Sequence, residues 1–344
     1  MKITNIGQGQ LWKNNLEEFV EEIFVQNSGN IMVKVWLLQM KSRYYDFNTY
    51  LRSLYGCRVQ KITVDAGLSC PNRDGTLSTG GCIYCNVRGS GTGAFAQGVT
   101  VTEQLRRGKQ ALTRRYKAKK FLAYFQSFSN TYGPLQKLKL LYDEALAVED
   151  IVGLSIGTRP DCVGPPVLEL LQDYARDYLL WVEYGLQSAN DATLSLVNRG
   201  HDTQCFKDAV KATANRGIKI CAHVILGLPN ETRQDMIHTA KTIADLAVDG
   251  VKLHLLYVVK GTALETLYRQ GRFQCLDQQE YVDRVCDFLE HIPRHMIIQR
   301  LTGDPHPTEL AAPQWSLRKS ETLAKINQTL ENRDSWQGKK AEPF

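Results

Sequence analysis

The sequence alternates short apolar runs with longer amphipathic stretches from about residue 61 onward. This pattern is typical of repeated βα units around a parallel sheet. The predicted strands cover 61–65, 121–126, 151–157, 180–185, 219–226 and 251–258, and the predicted helices cover 102–116, 135–147, 166–174, 202–216 and 232–246. Because parallel βαβ crossovers are almost always right-handed, such a series winds into a full or partial barrel or a doubly wound sheet. Of these α/β folds we favour a six-unit barrel.

The flanking segments depart from this repeat. Residues 1–40 are predicted to form a poorly defined N-terminal extension, or to result from an upstream start codon, because residue 40 is a methionine that reads as a natural start. The core is predicted over 41–300. After residue 261 a helix is predicted over 281–291, and the short apolar run at 296–301 is a candidate strand. A C-terminal extension follows over 301–344, with a helix at 317–332 and a frayed tail from residue 335. Thr102 and Thr232 are predicted helix N-caps, and Pro165 suits a first helical turn.

Composition narrows the class of protein. With 43% hydrophobic and 23% charged residues, the chain is expected to be globular. The net charge of +6 and a basic run over 106–120 are compatible with an anionic partner, or with an ordinary solvated surface. We find no apolar run long enough to span a bilayer and no signal-peptide cleavage site, so a cytoplasmic location without membrane insertion is expected. Nine cysteines, scattered among apolar runs, favour reduced thiols or metal ligands over disulfides.

Three of these cysteines lie in a glycine-rich segment directly after the first predicted strand: Cys70, Cys82 and Cys85. In parallel α/β folds, reacting groups gather at the carboxyl ends of strands. Three thiolates can hold three irons of a 4Fe-4S cubane and leave the fourth iron without a protein ligand. That open iron can chelate the amino and carboxylate groups of S-adenosylmethionine (SAM), so that one electron cleaves its carbon–sulfur bond and yields a 5′-deoxyadenosyl radical.

Other uses of these cysteines fit the pattern less well. A structural zinc site usually has four ligands in two close pairs, whereas this segment has one pair and no obvious fourth ligand. A thioredoxin-like redox pair at Cys82 and Cys85 does not require Cys70. The remaining cysteines are interpreted as small buried hydrophobic residues.

Over residues 44–317 the sequence resembles the YhcC-like group of radical SAM proteins, which is related to the catalytic subunit of Elongator. The motifs that carry this resemblance are at 69–75, 80–82, 85–86, 157–161 and 183–188. The resemblance implies a partial (βα)6 TIM-like barrel, a site-differentiated 4Fe-4S cluster and SAM across the strand ends. The eleven-residue gap between Cys70 and Cys82 is longer than is common in the superfamily but matches this group. An Elongator-type acetyltransferase domain is not expected in a chain of this length, so acetyl-CoA chemistry is not implied.

Five residues near strand ends are predicted to contact SAM: Gln126, Arg159, Glu183, Gln187 and Gly227. Glu183 and Gln187 are placed to bind the SAM ribose or amino group, although Glu183 is also explained by pairing with Arg159 or His223 inside the barrel. Arg159 suits a carboxylate or another anion, or else an internal salt bridge. Gly227 suits close approach of the adenine, or a plain strand-to-helix turn.

These features predict a radical SAM enzyme that modifies tRNA, with the C5 side chain of the wobble uridine as target by analogy with the relatives of the group. An electron donor such as flavodoxin or ferredoxin is expected. Two alternatives remain open. The first is a radical SAM enzyme acting on a peptide or small molecule, and the second is a non-catalytic Fe-S or zinc protein.

Overall fold

A computed structural model describes residues 42–89, 91–246 and 248–341 of the chain. The strands in this part are β1 Val59–Val64, β2 Lys120–Phe125, β3 Ile151–Thr158, β4 Leu179–Gln187, β5 Lys219–Leu226, β6 Gly250–Leu255, β7 Val258–Val259, β8 Ile297–Arg300 and β9 Leu310–Ala312. Within the described residues, seven of them form one parallel sheet in the order β1-β2-β3-β4-β5-β6-β8. Their carboxyl ends therefore meet at one edge. The predicted extension at 1–40 lies outside the described residues.

Most of the helices connect successive strands and pack on the outer face of the sheet. They are α1 Phe47–Tyr55, α2 Val101–Tyr116, α3 Leu135–Leu146, α4 Pro165–Ala175, α5 Asp191–Leu196, α6 Thr203–Thr213, α7 Arg233–Asp245, α8 Ala263–Arg269, α9 Gln278–Glu290 and α10 Lys319–Asn332. The curled sheet is a partial TIM-like barrel, which confirms the predicted fold class. The sequence pattern did not predict α1, α5 or α8.

The predicted first residues and N-caps of the helices are partly confirmed. Thr232 caps α7 in a capping box with Asp235, and Pro165 begins α4. The prediction for Thr102 is wrong, because Thr100 caps α2 by accepting a hydrogen bond from the Glu103 N–H. Thr102 lies inside the helix, where its hydroxyl and backbone N–H both bind a neighbouring carboxylate.

The two faces of the sheet differ in chemistry because strand side chains alternate in direction. Along β6, Val251, Leu253 and Leu255 belong to the main hydrophobic core. Lys252 and His254 alternate with them and line the cavity inside the barrel. The helix-facing side is therefore an ordinary apolar core, and the inner side is polar.

Helix α1 closes the amino end of the barrel. Asp46, which caps α1, forms an isolated parallel bridge with Ile298 of β8. Phe47 and Tyr50 both pack edge-on against the fully buried Trp181 of β4, at ring-centroid distances of 5.6 and 5.8 Å. This aromatic cluster leaves the carboxyl end as the open face.

Two predictions about the C-terminal third are wrong. The strand predicted over 251–258 ends at Leu255, because Val258 and Val259 leave the sheet and pair antiparallel with β9. The segment 335–341 does not fray. The fully buried Gln337 side chain accepts from the Tyr45 N–H and donates to the carbonyls of Pro293 and Met296, which fixes the segment against the barrel.

The start of β3 offers a test of this packing. A Cβ added at Gly153 would lie 2.0 Å from the Leu179 carbonyl oxygen, so the paired strands would have to shift. Gly153→Ala is expected to lower the free energy of unfolding by about 1–3 kcal/mol. Urea unfolding measures this, with Gly80→Ala as the control because open space surrounds Gly80. Equal stability of the two variants would contradict the predicted clash.

Candidate active site

The three motif cysteines lie in the long connection between β1 and α2, at the carboxyl end of the barrel. The backbone turns at the cysteines themselves: the Arg73 N–H donates to the Cys70 carbonyl (2.8 Å) and the Cys85 N–H to the Cys82 carbonyl (2.9 Å). The Asn198 side chain, which follows α5, donates to the Gly81 carbonyl (2.7 Å). The cysteine loop is therefore fixed to the connection that follows β4.

Cys82 has the most polar surroundings of the three. Its sulfur lies 3.7 Å from both the Asn72 amide nitrogen and the Arg199 guanidinium. Burial alone would raise the pKa of the Cys82 thiol, but the neighbouring Arg199 charge brings it below its ordinary value. Burial raises the pKa of Cys85, whose carbonyl accepts from Arg73 (2.6 Å).

These residues fit a cluster. Cys70, Cys82 and Cys85 all line one cavity of about 560 Å³ that opens at the carboxyl ends of the strands. Two buried polar atoms beside them, Asn72 Oδ1 and Arg73 Nε, have no hydrogen-bond partner among the described residues. In that same part of the chain, no three His, Cys, Asp or Glu side chains converge as a metal-binding group. A cubane does not need such convergence, because each thiolate binds a different iron.

A charged network lies deeper in the barrel, centred on the fully buried carboxylate of Glu183. One carboxylate oxygen accepts from Lys61 and from Ser155. The other accepts from Lys252 (3.0 Å) and lies 2.5 Å from His223 Nε2. Side chains from β1, β3, β4, β5 and β6 thus meet at one acid.

The protonation states of this network follow from burial and charge. Burial opposes ionisation of Glu183, but Lys252 and Lys61 hold the pKa of that carboxyl well below its usual range. Burial lowers the pKa of Lys252 to about 7, although Glu183 acts in the opposite direction. Burial and the Lys252 charge lower the pKa of His223 to about 4, so its ring is neutral at pH 7.

The structure brings four of the five predicted SAM contacts to the cavity: Gln126, Arg159, Glu183 and Gln187 line it. Gly227 does not belong to the lining; its φ of +87° fits a strand-to-helix turn, and it packs against Leu276. The roles of these residues toward SAM stay predictions.

Two of the predicted SAM contacts, Arg159 and Glu183, already form hydrogen bonds with other side chains of the protein. Arg159 forms a two-point salt bridge with Asp161 (2.7 and 2.8 Å) and donates to the Arg199 carbonyl (2.7 Å). It does not pair with Glu183, whereas His223 does, so one of the two predicted alternatives for Glu183 is observed.

Sequence reasoning missed the basic residues inside the barrel: Lys61, Arg199, Lys252 and Arg300. The sequence does indicate a role for Lys252, because it lies in the middle of an apolar strand. A lysine in such a position is rarely buried unless it is paired with an opposite charge. Arg199 follows α5 in a loop with no periodicity, and nothing in the sequence indicates that it reaches Cys82.

The basic run over 106–120 begins within α2 and ends at β2. Because α2 returns the chain from the cysteine loop to the start of β2, its last residues lie at the amino end of the barrel, away from the open face. There Arg115 stacks on Tyr116 and Lys120 on Tyr55. No helix among the described residues has both the length and the apolarity to cross a membrane.

Comparison with known proteins identifies the family. Residues 75–243 match the Radical SAM superfamily, and residues 248–332 match the Radical_SAM C-terminal domain. The uncharacterised protein YtqA of Bacillus subtilis is 43% identical over 87% of this chain and 93% of its own length. Protein YhcC of Escherichia coli K12 is 36% identical over 85% of this chain and 94% of its own. The chain therefore belongs to the radical SAM superfamily and to its YhcC-like group.

More distant matches agree with this assignment. The solved structure of the archaeal Methanocaldococcus infernus Elp3 superposes with a TM-score of 0.63 at 17% identity, over 81% of this chain and 64% of that one, which shows the shared fold. The tRNA uridine(34) acetyltransferase of Dehalococcoides mccartyi is 27% identical over 50% of this chain and 37% of its own length. The protein is thus an enzyme of a family that uses a 4Fe-4S cluster and SAM.

The charged network yields a stability prediction. Glu183→Gln removes the carboxylate that compensates Lys61 and Lys252, so we expect the free energy of unfolding to fall by roughly 3–5 kcal/mol. Anaerobic unfolding of the cluster-loaded protein measures this. Glu169→Gln, on the exposed face of α4, is the matched control and is expected to match the parent. A Glu183→Gln variant as stable as this control would show that the network is not needed for folding.

Proposed function

We propose that Cys70, Cys82 and Cys85 bind a 4Fe-4S cluster whose fourth iron is left for SAM. The observation that carries the proposal is that all three thiols line the same cavity at the carboxyl ends of the strands. The donors near Cys82 support it, because Arg199 and Asn72 are suited to a thiolate rather than a thiol. When bound there, such a cluster supplies the electron that cleaves SAM to methionine and a 5′-deoxyadenosyl radical.

The chain's own residues give this chemistry a closed, oriented site. Arg159, itself buried and paired with Asp161, donates to the Arg199 carbonyl and thereby holds the residue whose guanidinium lies beside Cys82. Gln126 and Gln187 face the cavity with amide groups that suit the ribose or amino group of SAM. The edge-on contact of Phe47 with the buried Trp181 packs the amino end of the barrel, opposite the cysteines.

For the substrate, we propose tRNA, with the C5 side chain of the wobble uridine as the modified group. The support is the similarity to a tRNA uridine(34) acetyltransferase over half of this chain. The net charge of +6 also favours a polyanionic partner. Exposed basic residues occur at the open face, where Arg88 is paired with Glu309 and Lys260 reaches the Thr308 carbonyl. A low-potential donor such as flavodoxin or ferredoxin would supply the electron.

The cluster proposal predicts that replacing a ligand cysteine abolishes SAM cleavage, whereas replacing another cysteine does not. Cys82→Ala is expected to lose SAM cleavage almost completely, because an iron loses its ligand, whereas Cys57→Ala is expected to keep parental activity. The measurement is 5′-deoxyadenosine released from SAM and dithionite after anaerobic reconstitution, together with the iron content. Parental release by Cys82→Ala would refute the ligand assignment.

The substrate proposal predicts a change in cellular tRNA. A deletion strain is expected to lack, or to accumulate the precursor of, a uridine nucleoside modified at C5, and mass spectrometry of total tRNA nucleosides detects either change. Complementation with the parent gene should restore the profile, and complementation with Cys82→Ala should not. An unaltered nucleoside profile would favour a peptide or small-molecule substrate instead.

A further inference from the structure

The inner layer of the barrel has more positive than negative charge. The charged side chains that β1, β4, β6 and β8 contribute to this layer are Lys61, Glu183, Lys252 and Arg300. Because burial lowers the pKa of Lys252 to about 7, that side chain carries its proton only part of the time at pH 7, and the three basic side chains and one carboxylate leave an excess of between one and two positive charges. Such an excess in a low-dielectric interior is costly unless an anion compensates it.

Among these four charged residues, Arg300 is the one that has no partner in the described part of the chain. Its guanidinium lines the cavity but forms no hydrogen bond or ion pair with any of the described residues. It ends β8 directly beside Lys252 of β6, which is its partner in the strand register. Because directly paired residues of neighbouring strands point to the same face, both cations are directed into the barrel.

Next to these cations lies an unsatisfied histidine nitrogen. His254 Nε2 is buried and has no hydrogen-bond partner among the described residues. Its ring lies 5.4 Å from that of His223, which is itself engaged with Glu183. The Lys252 ammonium, by contrast, has two partners, the Tyr124 hydroxyl at 2.7 Å and Glu183 at 3.0 Å.

We propose that Arg300, His254 and Lys252 form a subsite that binds an anionic group of the substrate, a carboxylate or a phosphate. The planar guanidinium offers paired donors to such a group, and the His254 ring adds a third donor when Nε2 carries the proton. The subsite opens into the cavity that the three cysteines line, so an anion held there anchors the substrate below the radical source. Burial lowers the pKa of His254, and the Arg300 charge lowers it further; an anion would counteract the effect of that charge.

This inference rests on the cavity being the substrate site of the proposed enzyme, but it does not depend on the substrate being tRNA. SAM carries a carboxylate of its own, so the test must use protein that is already saturated with SAM. Acetate and inorganic phosphate serve as probes for the two kinds of anion.

The experiment follows the thermal midpoint of cluster-loaded, SAM-saturated protein under anaerobic conditions. Sodium acetate and sodium phosphate are titrated separately, with sodium chloride at equal ionic strength as the reference. We expect saturable stabilisation by at least one of the two anions beyond chloride, because a ligand that binds only the folded state raises its stability. The anion that acts at lower concentration identifies the substrate group as a carboxylate or a phosphate.

The variant Arg300→Gln decides whether the effect belongs to this subsite. Because Arg300 forms no hydrogen bond or ion pair within the described residues, we expect the variant to fold and its apparent anion affinity to fall by about tenfold or more. The matched control is Arg176→Gln, at the exposed C-terminal end of α4, which is expected to keep the parental affinity. The inference is overturned if neither anion stabilises the protein more than chloride does, or if Arg300→Gln responds like the parent. An unchanged tRNA profile in the deletion strain would overturn the tRNA proposal alone.

Discussion

The buried carboxylate of Glu183 is the interaction on which the inner architecture of the barrel depends. A lone carboxylate in this position would be heavily destabilised by desolvation, and so would Lys61 and Lys252 without it. Together they compensate one another, and the contacts of Ser155 and His223 satisfy the remaining hydrogen-bonding capacity of the acid. The network ties five strands together. It also joins β1 to β8 across the open edge of the barrel, because Lys61 reaches Gln299 as well as Glu183.

This network divides the barrel into layers along its axis. Below it, the aromatic contacts of Phe47, Tyr50 and Trp181 pack the amino end. Above it, the cavity reaches the cysteine loop, and both polar and apolar side chains line it. This arrangement suits a radical enzyme, because the substrate must be held firmly beside the cofactor. The excess of positive charge between the aromatic contacts and the cysteines is what points to an anionic substrate group.

The predicted SAM contacts show what position in a strand can and cannot indicate. Arg159 and Glu183 were expected near the open face because they lie at strand ends, and both do line the cavity. Their hydrogen-bonding groups, however, are engaged by Asp161 and by the interior cations and hydroxyl. A position at the end of a strand predicts that a residue lies near the site. It does not predict whether the side chain is free to bind a ligand. Conversely, Arg300 ends a short strand that the pattern only weakly indicated, and it is unpaired among the described residues.

The sequence by itself determined the βα repeat, the approximate positions of most parallel strands along the chain and the place of Cys70, Cys82 and Cys85 after the first strand. These are local properties, since they follow from hydrophobic periodicity and from residue spacing along the chain. Only the tertiary structure decided which polar residues meet inside the barrel, because Lys61, Glu183 and Lys252 are separated by long stretches of sequence. The same holds for the C-terminal segment: the sequence predicts a frayed tail, and only the structure shows the buried contacts of Gln337 with distant backbone groups that fix it in place.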